Sequence, residues 1–448
     1  MNKNEILALK CENLGANMEG ICRHDGMAVF VKGMLPGERG QVVITRVQKS
    51  FAFGRLLSLA EKSPFRKNPE CPVYGRCGGC SCRHMRYETG LAAKRQQVTD
   101  CFLRIAGLTV QPDTVLGMEN PNHYRNKTTL PVGGSVGDVK LGFYAPRSHE
   151  IIGMESCPVA MEQSNTAAQA VTAWMNAYAV PPYAEDTHTG LVRHLMTRVN
   201  RAGDVMAVLC VNGDSVPHAD ALLAGLSDAL PGLRSVYLLE NLKRTNVVLD
   251  GTYHLLYGEK TLTETLLGLR FTLSPSAFFQ VNGRQTELLY ETAMGFAALT
   301  GEEMVADIYC GVGTLSLLAA QRGKAVLGIE VVEAAVENAR QNALDNGIKN
   351  TSFMAGPAEE LLPAQVAAGF RPDVVIIDPP RKGADAKVLD AILSAQPKRL
   401  VYISCDVATQ ARDAKHLTDG GYRVTRITPV DMFAWTSDVE SVALFERE

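Results

Sequence analysis

The sequence predicts an α/β protein whose carboxyl-terminal part is an open, doubly wound sheet, preceded by a small OB-like β-barrel and an α+β central domain with a cysteine cluster. Three observations predict this order. Residues 271–448 alternate strand-length apolar runs with helical segments, which is the pattern of a mainly parallel sheet covered on both faces. Residues 1–60 show short apolar runs broken by glycines, and residues 61–270 mix many short strands with helices. The predicted domains are therefore 1–60, 61–270 and 271–448.

The composition is that of a globular chain. Of its 448 residues, 46% are apolar and 21% charged, which suits two or three sizeable cores. There is no run of about 18 apolar residues, so no membrane span is expected. The amino terminus lacks the apolar stretch of a secretory signal, and the eleven cysteines are an odd number. We therefore expect a cytoplasmic protein in which some thiols bind a metal or take part in a reaction.

The charge is unevenly distributed. The net charge is −3, but residues 1–150 hold 21 Lys+Arg against 13 Asp+Glu, and the remaining residues hold 24 against 35. A basic amino-terminal third on an acidic body indicates a polyanionic partner such as RNA. A solvated charged face explains the same numbers about as well.

The first sixty residues predict a five-stranded barrel. Strand-like runs at Ile6–Leu9, Met27–Val31, Gln41–Val47 and Phe51–Leu59 are separated by glycine turns, as in oligonucleotide-binding barrels. The pattern, including residues 18–22 and 35–38, resembles the TRAM module of RNA-modifying enzymes. This resemblance favours RNA binding over a purely structural role.

A cysteine cluster follows a linker rich in proline and charge. Cys71, Cys77 and Cys80 have the spacing C-x5-C-x2-C, and Cys157 is a distant candidate for a fourth thiolate. Four thiolates suit a [4Fe–4S] cluster or a structural zinc ion, and the spacing does not decide between them. Cys82 is one thiol too many for either site. A fully ligated iron–sulfur cluster leaves no open iron, which argues against radical chemistry.

The central region contains one clear helix and two candidate RNA contacts. A helix is predicted for Tyr87–Ala106, and we expect it to pack on the carboxyl-terminal domain. His123–Lys127 and Gly142–Arg147 combine basic and aromatic residues, as RNA-contacting segments often do. Either segment is equally well explained as a solvated strand edge.

The loop Asp307–Thr314 joins the first strand of the predicted sheet to its helix. Gly311 and Gly313 would let the backbone approach a ligand closely, and Glu330, at the end of the next strand, is placed to bind a ribose diol. A dinucleotide site would have a third glycine where this chain has Ser316. The loop is therefore more typical of an S-adenosylmethionine site than of a dehydrogenase, although a glycine turn without function is the alternative.

A thiol ends the apolar run Leu400–Ile403, since Ser404 and Cys405 follow it directly. A helix is predicted from Val407 to Leu417, and its positive end would favour the thiolate of Cys405. The carboxyl end of a buried parallel strand is where α/β enzymes carry out chemistry. By position alone, a small buried core residue is an equally good interpretation of Cys405.

Together these motifs resemble the RNA 5-methyluridine methyltransferases, over the whole chain. The segments that carry the resemblance are Phe278–Asn282, Asp307–Thr314, Asp378–Arg381, Ser404-Cys405 and Val439-Glu440. It implies a Rossmann-like class I methyltransferase domain that uses S-adenosylmethionine. Members with a TRAM module and a cysteine cluster are mostly of the type that acts on 23S ribosomal RNA, with four cysteines on a [4Fe–4S] cluster.

The resemblance also implies roles for individual residues. Cys405 would be the nucleophile, Glu440 the base, and the cofactor-binding residues would be Gln280, Tyr309, Glu330 and Asp378. Uracil C5 by itself is too weak a nucleophile to attack a methyl sulfonium. It becomes reactive when a thiolate of the enzyme adds to C6, which is why the enzyme needs a cysteine. A base must then remove the C5 proton so that the thiolate can leave.

The chain departs from the family pattern in two places. Asp406 and Val407 stand where the family usually has Asn-Pro, and Ala434 and Asp438 replace a proline and a histidine. A carboxylate at Asp438 would raise the pKa of Glu440 if the two lie close together.

We therefore expect a monomeric uracil-C5 methyltransferase of 23S ribosomal RNA. One alternative is a tRNA uridine C5 methyltransferase, and another is an iron–sulfur RNA-binding protein without catalysis. The presence of both Cys405 and Glu440 argues against the loss of catalysis.

Overall fold

The amino-terminal end forms a closed barrel in the computed structural model, which describes residues 1–447. Its strands, in the order β1-β2-β3-β5-β4, are β1 (Ile6–Leu14), β2 (Gly20–His24), β3 (Met27–Lys32), β4 (Arg39–Val47) and β5 (Phe51–Glu61). Antiparallel pairing of β1 with β4 closes the barrel, and β3 and β5 pair in parallel. The predicted five-stranded barrel is thus confirmed.

The linker after the barrel is fastened to it by a buried carboxylate. Glu38 is fully buried and accepts hydrogen bonds from the Arg66 guanidinium at 2.5 and 2.7 Å. The backbone N–H of Ser63 also donates to Glu38, at 3.2 Å. The cysteine-containing segment therefore starts from a fixed point on the barrel.

A long helix follows the cysteine segment, as predicted. It consists of α1 (Tyr87–Cys101) and one turn of π-helix (Phe102–Ala106), which ends at Gly107 in the left-handed conformation, with φ of 72°. The αL position is one that glycine occupies at little cost.

A seven-stranded mixed sheet occupies the centre of the chain, in the order β12-β11-β10-β9-β6-β7-β8. Its strands are β6 (Lys127–Ser135), β7 (Asp138–Tyr144), β8 (Ile151–Gly153), β9 (Val192–Val199), β10 (Val205–Val211), β11 (Leu233–Glu240) and β12 (Thr252–Gly258). Two helices pack on this sheet, α2 (Glu162–Ala177) and α3 (Ala219–Ala229). A separate hairpin then leads to the last third of the chain, formed by β13 (Leu262–Leu266) and β14 (Leu269–Leu273).

The last third is the predicted doubly wound sheet. Its helices are α4 (Gly283–Ala297), α5 (Thr314–Ala320), α6 (Glu333–Asp345), α7 (Ala358–Ala367), α8 (Ala386–Ala395) and α9 (Val407–Asp419). Its strands are β15 (Met304–Ile308), β16 (Ala325–Glu330), β17 (Thr351–Ala355), β18 (Val374–Ile377), β19 (Arg399–Ser404), β20 (Tyr422–Val430) and β21 (Glu440–Arg447). The order is β17-β16-β15-β18-β19-β21-β20, with five parallel strands and β21 antiparallel to both its neighbours.

Two features of the packing bear on the predicted domain boundaries. The boundary after residue 60 lies one residue before the end of β5, and the boundary after residue 270 lies inside β14. Phe271 and Leu273 of this hairpin pack in the same core as α4, whereas Val98 and Phe102 of the long helix pack in the core that α9 and β19 share. Within the described residues, no helix has the combination of length and apolar character that crossing a membrane requires.

Residues 431–436, between β20 and β21, are held by hydrogen bonds from distant parts of the chain. All six backbone carbonyls of this segment accept a bond. The donors, in order along the segment, are the side chains of Gln285, Asn282, Lys94 and Tyr124, the backbone N–H groups of Ser81 and Cys82, and the thiol of Cys82. We call residues 431–436 the anchored segment. It fixes the place where β21 starts.

The anchored segment begins at a buried ion pair. Lys94 and Asp431 are 2% and 1% exposed, and the Lys94 ammonium contacts the Asp431 carboxylate directly. The Tyr87 hydroxyl donates to the other carboxylate oxygen at 2.5 Å. Because both charges are removed from water, each depends on the other for compensation.

We predict that Lys94→Met lowers the free energy of unfolding by about 3–5 kcal/mol, because it leaves the Asp431 charge buried without a cation. The double variant Lys94→Met/Asp431→Leu should recover most of this loss. Urea denaturation followed by circular dichroism measures both.

The control for this experiment is Lys415→Met, which removes an exposed ion pair with Asp419. It should cost about 1 kcal/mol or less. If Lys94→Met lowers the free energy of unfolding no more than this control does, the buried pair does not hold the anchored segment in place.

Candidate active site

The carboxyl ends of the parallel strands place most of the predicted site residues along one edge of the sheet. β15, β16, β18 and β19 run in the same direction with adjacent registers. Residues at or directly after the ends of these four strands therefore lie side by side, namely Tyr309, Glu330, Asp378 and Cys405.

The antiparallel strand β21 brings a fifth region of the sequence to the same edge. Ser441 pairs with Ser404, so Glu440, the first residue of β21, lies beside the end of β19 and near Cys405. Gln280 comes from the loop that leads into α4. The six predicted cofactor and catalytic residues thus belong to one region.

A cavity of about 730 Å³ lies along this edge. Gln280, Tyr309, Glu330 and Asp378 all line it, together with Tyr290 of α4. This is the size of cavity that holds a nucleoside-sized ligand. The four positions predicted to bind the cofactor therefore meet in one cavity, while their individual contacts with it stay predictions.

The floor of the cavity is the loop after β15. Tyr309 has a left-handed backbone with φ of 67°, and its N–H donates to the Ile329 carbonyl at 2.9 Å. Gly311 N–H donates to one oxygen of Glu330 at 3.1 Å, and Val332 N–H donates to the other at 2.9 Å. The Glu330 carboxylate is thus held in place at the cavity wall, where it can accept hydrogen bonds from a diol.

Gly313 is required by close packing. Its φ is 83°, and a Cβ atom at this position would lie 2.9 Å from the Cβ of Ala339. A side chain would therefore separate the loop from α6, so Gly313 is explained by helix packing, and the predicted close approach of the backbone to a ligand stays a prediction.

Two carboxyl groups beside the cavity are buried and poorly compensated. Burial raises the pKa of Asp378 to about 7 and that of Asp307 to about 7. Ser316 Oγ donates to one carboxylate oxygen of Asp307 at 2.5 Å, while the other carboxylate oxygen of Asp307 has no hydrogen-bond partner. A cation entering the cavity would be attracted by these groups and would favour their ionised forms.

The thiol of Cys405 is neutral in the protein by itself. Burial raises its pKa to about 11, and the nearby carboxylates of Glu440 and Asp378 act in the same direction. Only Arg381 among the neighbouring charges acts to lower it. The expectation that the helix end would give a thiolate is therefore wrong for the protein without its substrates.

The start of α9 already has a capping group. The side chain of Asp406 accepts the N–H groups of Ala408 and Thr409 at 2.9 and 3.0 Å, so a carboxylate already caps the positive end of the helix. Val407 is buried in the core beneath. Although Asp406 and Val407 replace the Asn-Pro of the family pattern, the first turn of α9 is still capped by a side chain.

Glu440 is 3% exposed, and burial raises its pKa to about 8. The charges of Asp378 and Asp438 raise it further, and Arg381 lowers it. The expected influence of Asp438 on Glu440 is therefore present. Asp438 itself is exposed to solvent.

The strand ends that carry Cys405 and Glu440 are tied to each other. Gln410 of α9 is fully buried and donates to the Tyr402 carbonyl at 3.0 Å, while Ser441 Oγ donates to Gln410 Oε1 at 2.5 Å. The thiol and the carboxyl group therefore keep a fixed relative position, as a nucleophile and a base acting on one substrate ring require.

The predicted metal ligands also meet in one place. Cys71, Cys77, Cys80 and Cys157 line a cavity of about 260 Å³ next to the anchored segment. Cys82 points elsewhere and packs with Met18, Leu35 and Met85. The structure therefore separates the four predicted ligands from the fifth thiol.

The four thiols do not surround a single ion. Among residues 1–447, no group of three or more His, Cys, Asp or Glu side chains is arranged to hold one metal ion. The thiols nevertheless influence one another, since Cys157 and Cys71 raise the pKa of Cys77 after the larger effect of burial. Four thiols that line one cavity are a ligand set that either a [4Fe–4S] cluster or a zinc ion can use.

Several residues of the site have no signal in the sequence. Tyr290 reads as an ordinary core position of an amphipathic helix, although it lines the cofactor cavity. Lys94 and Asp431 are 337 residues apart, and neither lies in a recognisable motif. Long-range pairs of this kind could have been found only from the fold.

Comparison with known proteins connects this site to a family. The family model described as tRNA (Uracil-5-)-methyltransferase matches residues 235–448, and the TRAM domain model matches residues 2–57. An uncharacterized RNA methyltransferase of Caldanaerobacter subterraneus subsp. tengcongensis is 44% identical over 452 residues, covering 100% of both chains. Another, from Halalkalibacterium halodurans, is 41% identical over 450 residues, covering 100% of this chain and 98% of the relative.

A solved structure has the same overall architecture. The Pyrococcus abyssi tRNA (uracil-54, C5)-methyltransferase, in complex with S-adenosyl-L-homocysteine, matches with a TM-score of 0.78 and 24% identity. The match covers 98% of this chain and 99% of that one. At this identity the likeness shows a shared fold, which confirms the predicted barrel followed by a Rossmann-like sheet.

The raised pKa of Glu440 predicts a pH-dependent effect on stability. Folding favours the protonated carboxyl, so the wild-type protein loses this contribution as the pH rises from about 4.5 to about 8. Glu440→Gln imitates the protonated form. We predict that at pH 9 it unfolds roughly 5–10 °C above the wild type, and that at pH 5 the difference nearly disappears.

Differential scanning calorimetry at the two pH values measures this effect. Glu446→Gln, on the same strand but only half-buried, is the control and should show no such pH-dependent gain. An equal shift at pH 5 and pH 9 for Glu440→Gln would contradict the proposed burial of an ionisable group.

Proposed function

Because this chain belongs to the RNA uracil-5-methyltransferase family and is an S-adenosylmethionine-dependent enzyme, we propose that it methylates C5 of a uridine in 23S ribosomal RNA. The observation that carries the proposal is that Cys405 and Glu440 lie together at the end of β19, beside the cofactor cavity. A thiol and a buried carboxyl group are the two groups that methylation at uracil C5 requires.

The first step is addition to the uracil ring. The Cys405 thiol loses its proton to solvent, its sulfur forms a bond to C6, and the electrons of the C5–C6 double bond move to give an enolate with a nucleophilic C5. C5 then takes the methyl group of S-adenosylmethionine, and S-adenosylhomocysteine leaves. Arg381, the cation that lowers the pKa of Cys405, favours the thiolate that this step needs.

The second step removes the C5 proton. Glu440 accepts it, the C5–C6 double bond forms again, and the Cys405 sulfur leaves as thiolate. With a pKa of about 8, Glu440 is largely protonated near neutral pH in the free protein, so it must lose its own proton before it can accept the one from C5. A cation in the cofactor cavity would favour this ionised form.

The cofactor is proposed to lie along the sheet edge. Glu330 would bind the ribose diol, and Gln280, Tyr309 and Asp378 would line the rest of the molecule. The sulfonium cation would lie near the buried carboxyl groups and lower their pKa values, together with that of Cys405.

Residues Cys71, Cys77, Cys80 and Cys157 are proposed to hold a structural [4Fe–4S] cluster. Their common cavity supports this proposal, as does the sequence resemblance, which implies such a cluster. With four thiolate ligands the cluster has no open iron, so its contribution is to cross-link the segment near Cys80 to Cys157. The neighbouring N–H groups of Ser81 and Cys82 hold Trp435 in the anchored segment.

The barrel supports an RNA substrate. Phe30, Phe51 and Phe53 form a partly exposed aromatic group with ring centroids 5.5–5.9 Å apart. Lys32 and Arg55 lie opposite each other on the same two strands and are exposed. Aromatic rings beside basic side chains are a common surface for stacking unpaired bases.

The proposal of a ribosomal substrate depends on the presence of both a TRAM module and a cysteine cluster. The sequence resemblance implies that family members with both features mostly act on 23S RNA. The alternative substrate is tRNA, which the matching family model and the Pyrococcus abyssi protein name. We further propose that the protein acts as a monomer in the cytoplasm. None of the eleven cysteines forms a disulfide bond, which suits a reducing compartment.

The order of the two steps predicts opposite outcomes for two variants. Cys405→Ala should lower the rate of methyl transfer by at least about a thousandfold, the order of magnitude expected for the loss of a nucleophile. Glu440→Gln should still transfer the methyl group but stall before elimination. It should leave a covalent protein–RNA adduct that carries the methyl and survives denaturing electrophoresis.

The assay uses transcripts of large-subunit ribosomal RNA and of tRNA with tritiated S-adenosylmethionine. Cys101→Ala, which removes another half-buried thiol, is the control and should retain activity. An adduct with tRNA alone would change the proposed substrate. Wild-type turnover by Glu440→Gln without any adduct would exclude Glu440 as the base and make Asp438→Asn the next variant.

The cluster predicts a specific metal content. Protein purified without oxygen should be brown and contain iron and acid-labile sulfide in equal amounts. Cys77→Ala and Cys157→Ala should lose both, whereas Cys82→Ala should keep them, because Cys82 faces a different core. Stoichiometric zinc in the wild type, or full iron content in Cys157→Ala, would contradict the assignment.

A further inference from the structure

A second cavity, of about 550 Å³, lies next to the cofactor cavity. It is bounded by residues 118–126, the end of β9, the β13–β14 hairpin and the start of α4. Phe279 lines both cavities and separates them. None of the steps described above uses this second cavity.

A buried amide in its lining has an unused acceptor. Asn126 is 7% exposed, its Nδ2 donates to the Gln280 carbonyl at 3.2 Å, and its Oδ1 has no partner. A buried acceptor without a partner costs free energy, and native proteins usually satisfy such groups. A ligand in the second cavity that donates a hydrogen bond would do so.

The lining suits a flat, neutral ring with polar edges. Its walls include the apolar side chains of Met118, Met161, Val199, Leu266 and Phe279. Its polar groups include five asparagines, of which Asn126 is one, and the carboxyl groups of Glu119, Glu264 and Glu287 against only two arginines. This excess of carboxylates opposes a phosphate, whereas amides and aromatic surfaces are the usual partners of an unpaired nucleobase.

We propose that the second cavity binds one unpaired nucleobase of the substrate RNA, distinct from the methylated uracil, and that this base carries an exocyclic amino group. The inference rests on the proposed function, because it takes the RNA as the ligand. The acceptors Asn126 Oδ1 and Glu264 favour an amino group over a carbonyl at the base edge. Unstacking a second base costs a few kcal/mol in a duplex and less in a loop, which selects RNA that is already open at this place.

The second cavity also touches both halves of the active site. Asn126 N–H donates to the Val281 carbonyl at 2.8 Å, so Asn126 holds the backbone of residues 280–281 that brings Gln280 to the cofactor cavity. Tyr124 and Asn282, which line the second cavity, hold the carbonyls of Ala434 and Met432 in the anchored segment. A bound base would therefore rest on the two segments that position Gln280 and Glu440.

The test is an abasic scan of the RNA. In an oligonucleotide containing the methylated uridine, each flanking nucleotide is replaced in turn by an abasic ribose. Binding to the full-length protein is then measured at one salt concentration. At one position, the abasic replacement should weaken binding to the wild-type protein roughly 5- to 150-fold, which is the effect of losing a stacked base. At the same position, a base without its amino group should weaken wild-type binding less.

Two variants locate that base. Met161→Trp, which fills the second cavity from one wall, should bind the abasic and intact RNAs within twofold of each other and should still bind S-adenosylhomocysteine. Asn126→Ala should no longer distinguish the base with an amino group from the base without it. Asn176→Ala, which removes a half-buried amide on α2, is the control and should keep the wild-type pattern.

The outcomes separate this inference from the proposed function. Suppose that the wild type methylates its RNA, but that each abasic replacement weakens binding to Met161→Trp as much as it weakens binding to the wild type. The second cavity then does not bind a base. If the amino group matters equally in the wild type and in Asn126→Ala, the proposed contact is wrong. A wild-type protein that methylates no RNA overturns the proposed function and this inference together.

Discussion

The position of Glu440 depends on hydrogen bonds that the anchored segment accepts from the rest of the chain. β21 can pair with β19 along its whole length, but pairing alone does not fix the loop that precedes it. Every carbonyl from Asp431 to Thr436 has a donor, and four of the six are held by residues between 81 and 124. The buried pair of Lys94 and Asp431 starts this series. The amino-terminal half of the chain is therefore part of the active site, although it contributes no reacting group.

The electrostatics of the site in the free protein disfavour charged side chains. Burial raises the pKa values of Cys405, Glu440 and Asp378, so the free protein holds a neutral thiol and a largely protonated Glu440 at neutral pH. In the proposed reaction, a sulfonium in the cofactor cavity would supply the positive charge that these groups lack. The Cys405 thiolate would then form where the methyl donor is bound.

The sequence predicts the fold well because its signals are local. Alternating apolar runs locate β15 to β21, glycine turns locate the barrel, and motifs at the strand ends place the cofactor residues in one cavity. The thiolate at Cys405 was predicted wrongly because burial of the thiol, followed by the nearby carboxylates of Glu440 and Asp378, raises its pKa. The Lys94–Asp431 pair and the second cavity were not predictable, because residues hundreds of positions apart form them without any motif.

The central claim is that this protein places a methyl group on uracil C5 of ribosomal RNA through Cys405. Its most direct test is a nucleotide-resolution map of 5-methyluridine in ribosomal and transfer RNA from cells that contain the protein, lack it, or carry only Cys405→Ala. The account predicts that at least one 5-methyluridine in 23S RNA is present in the first cells and absent from the other two. A loss confined to tRNA would contradict the ribosomal substrate, and an unchanged map in all three would contradict the account as a whole.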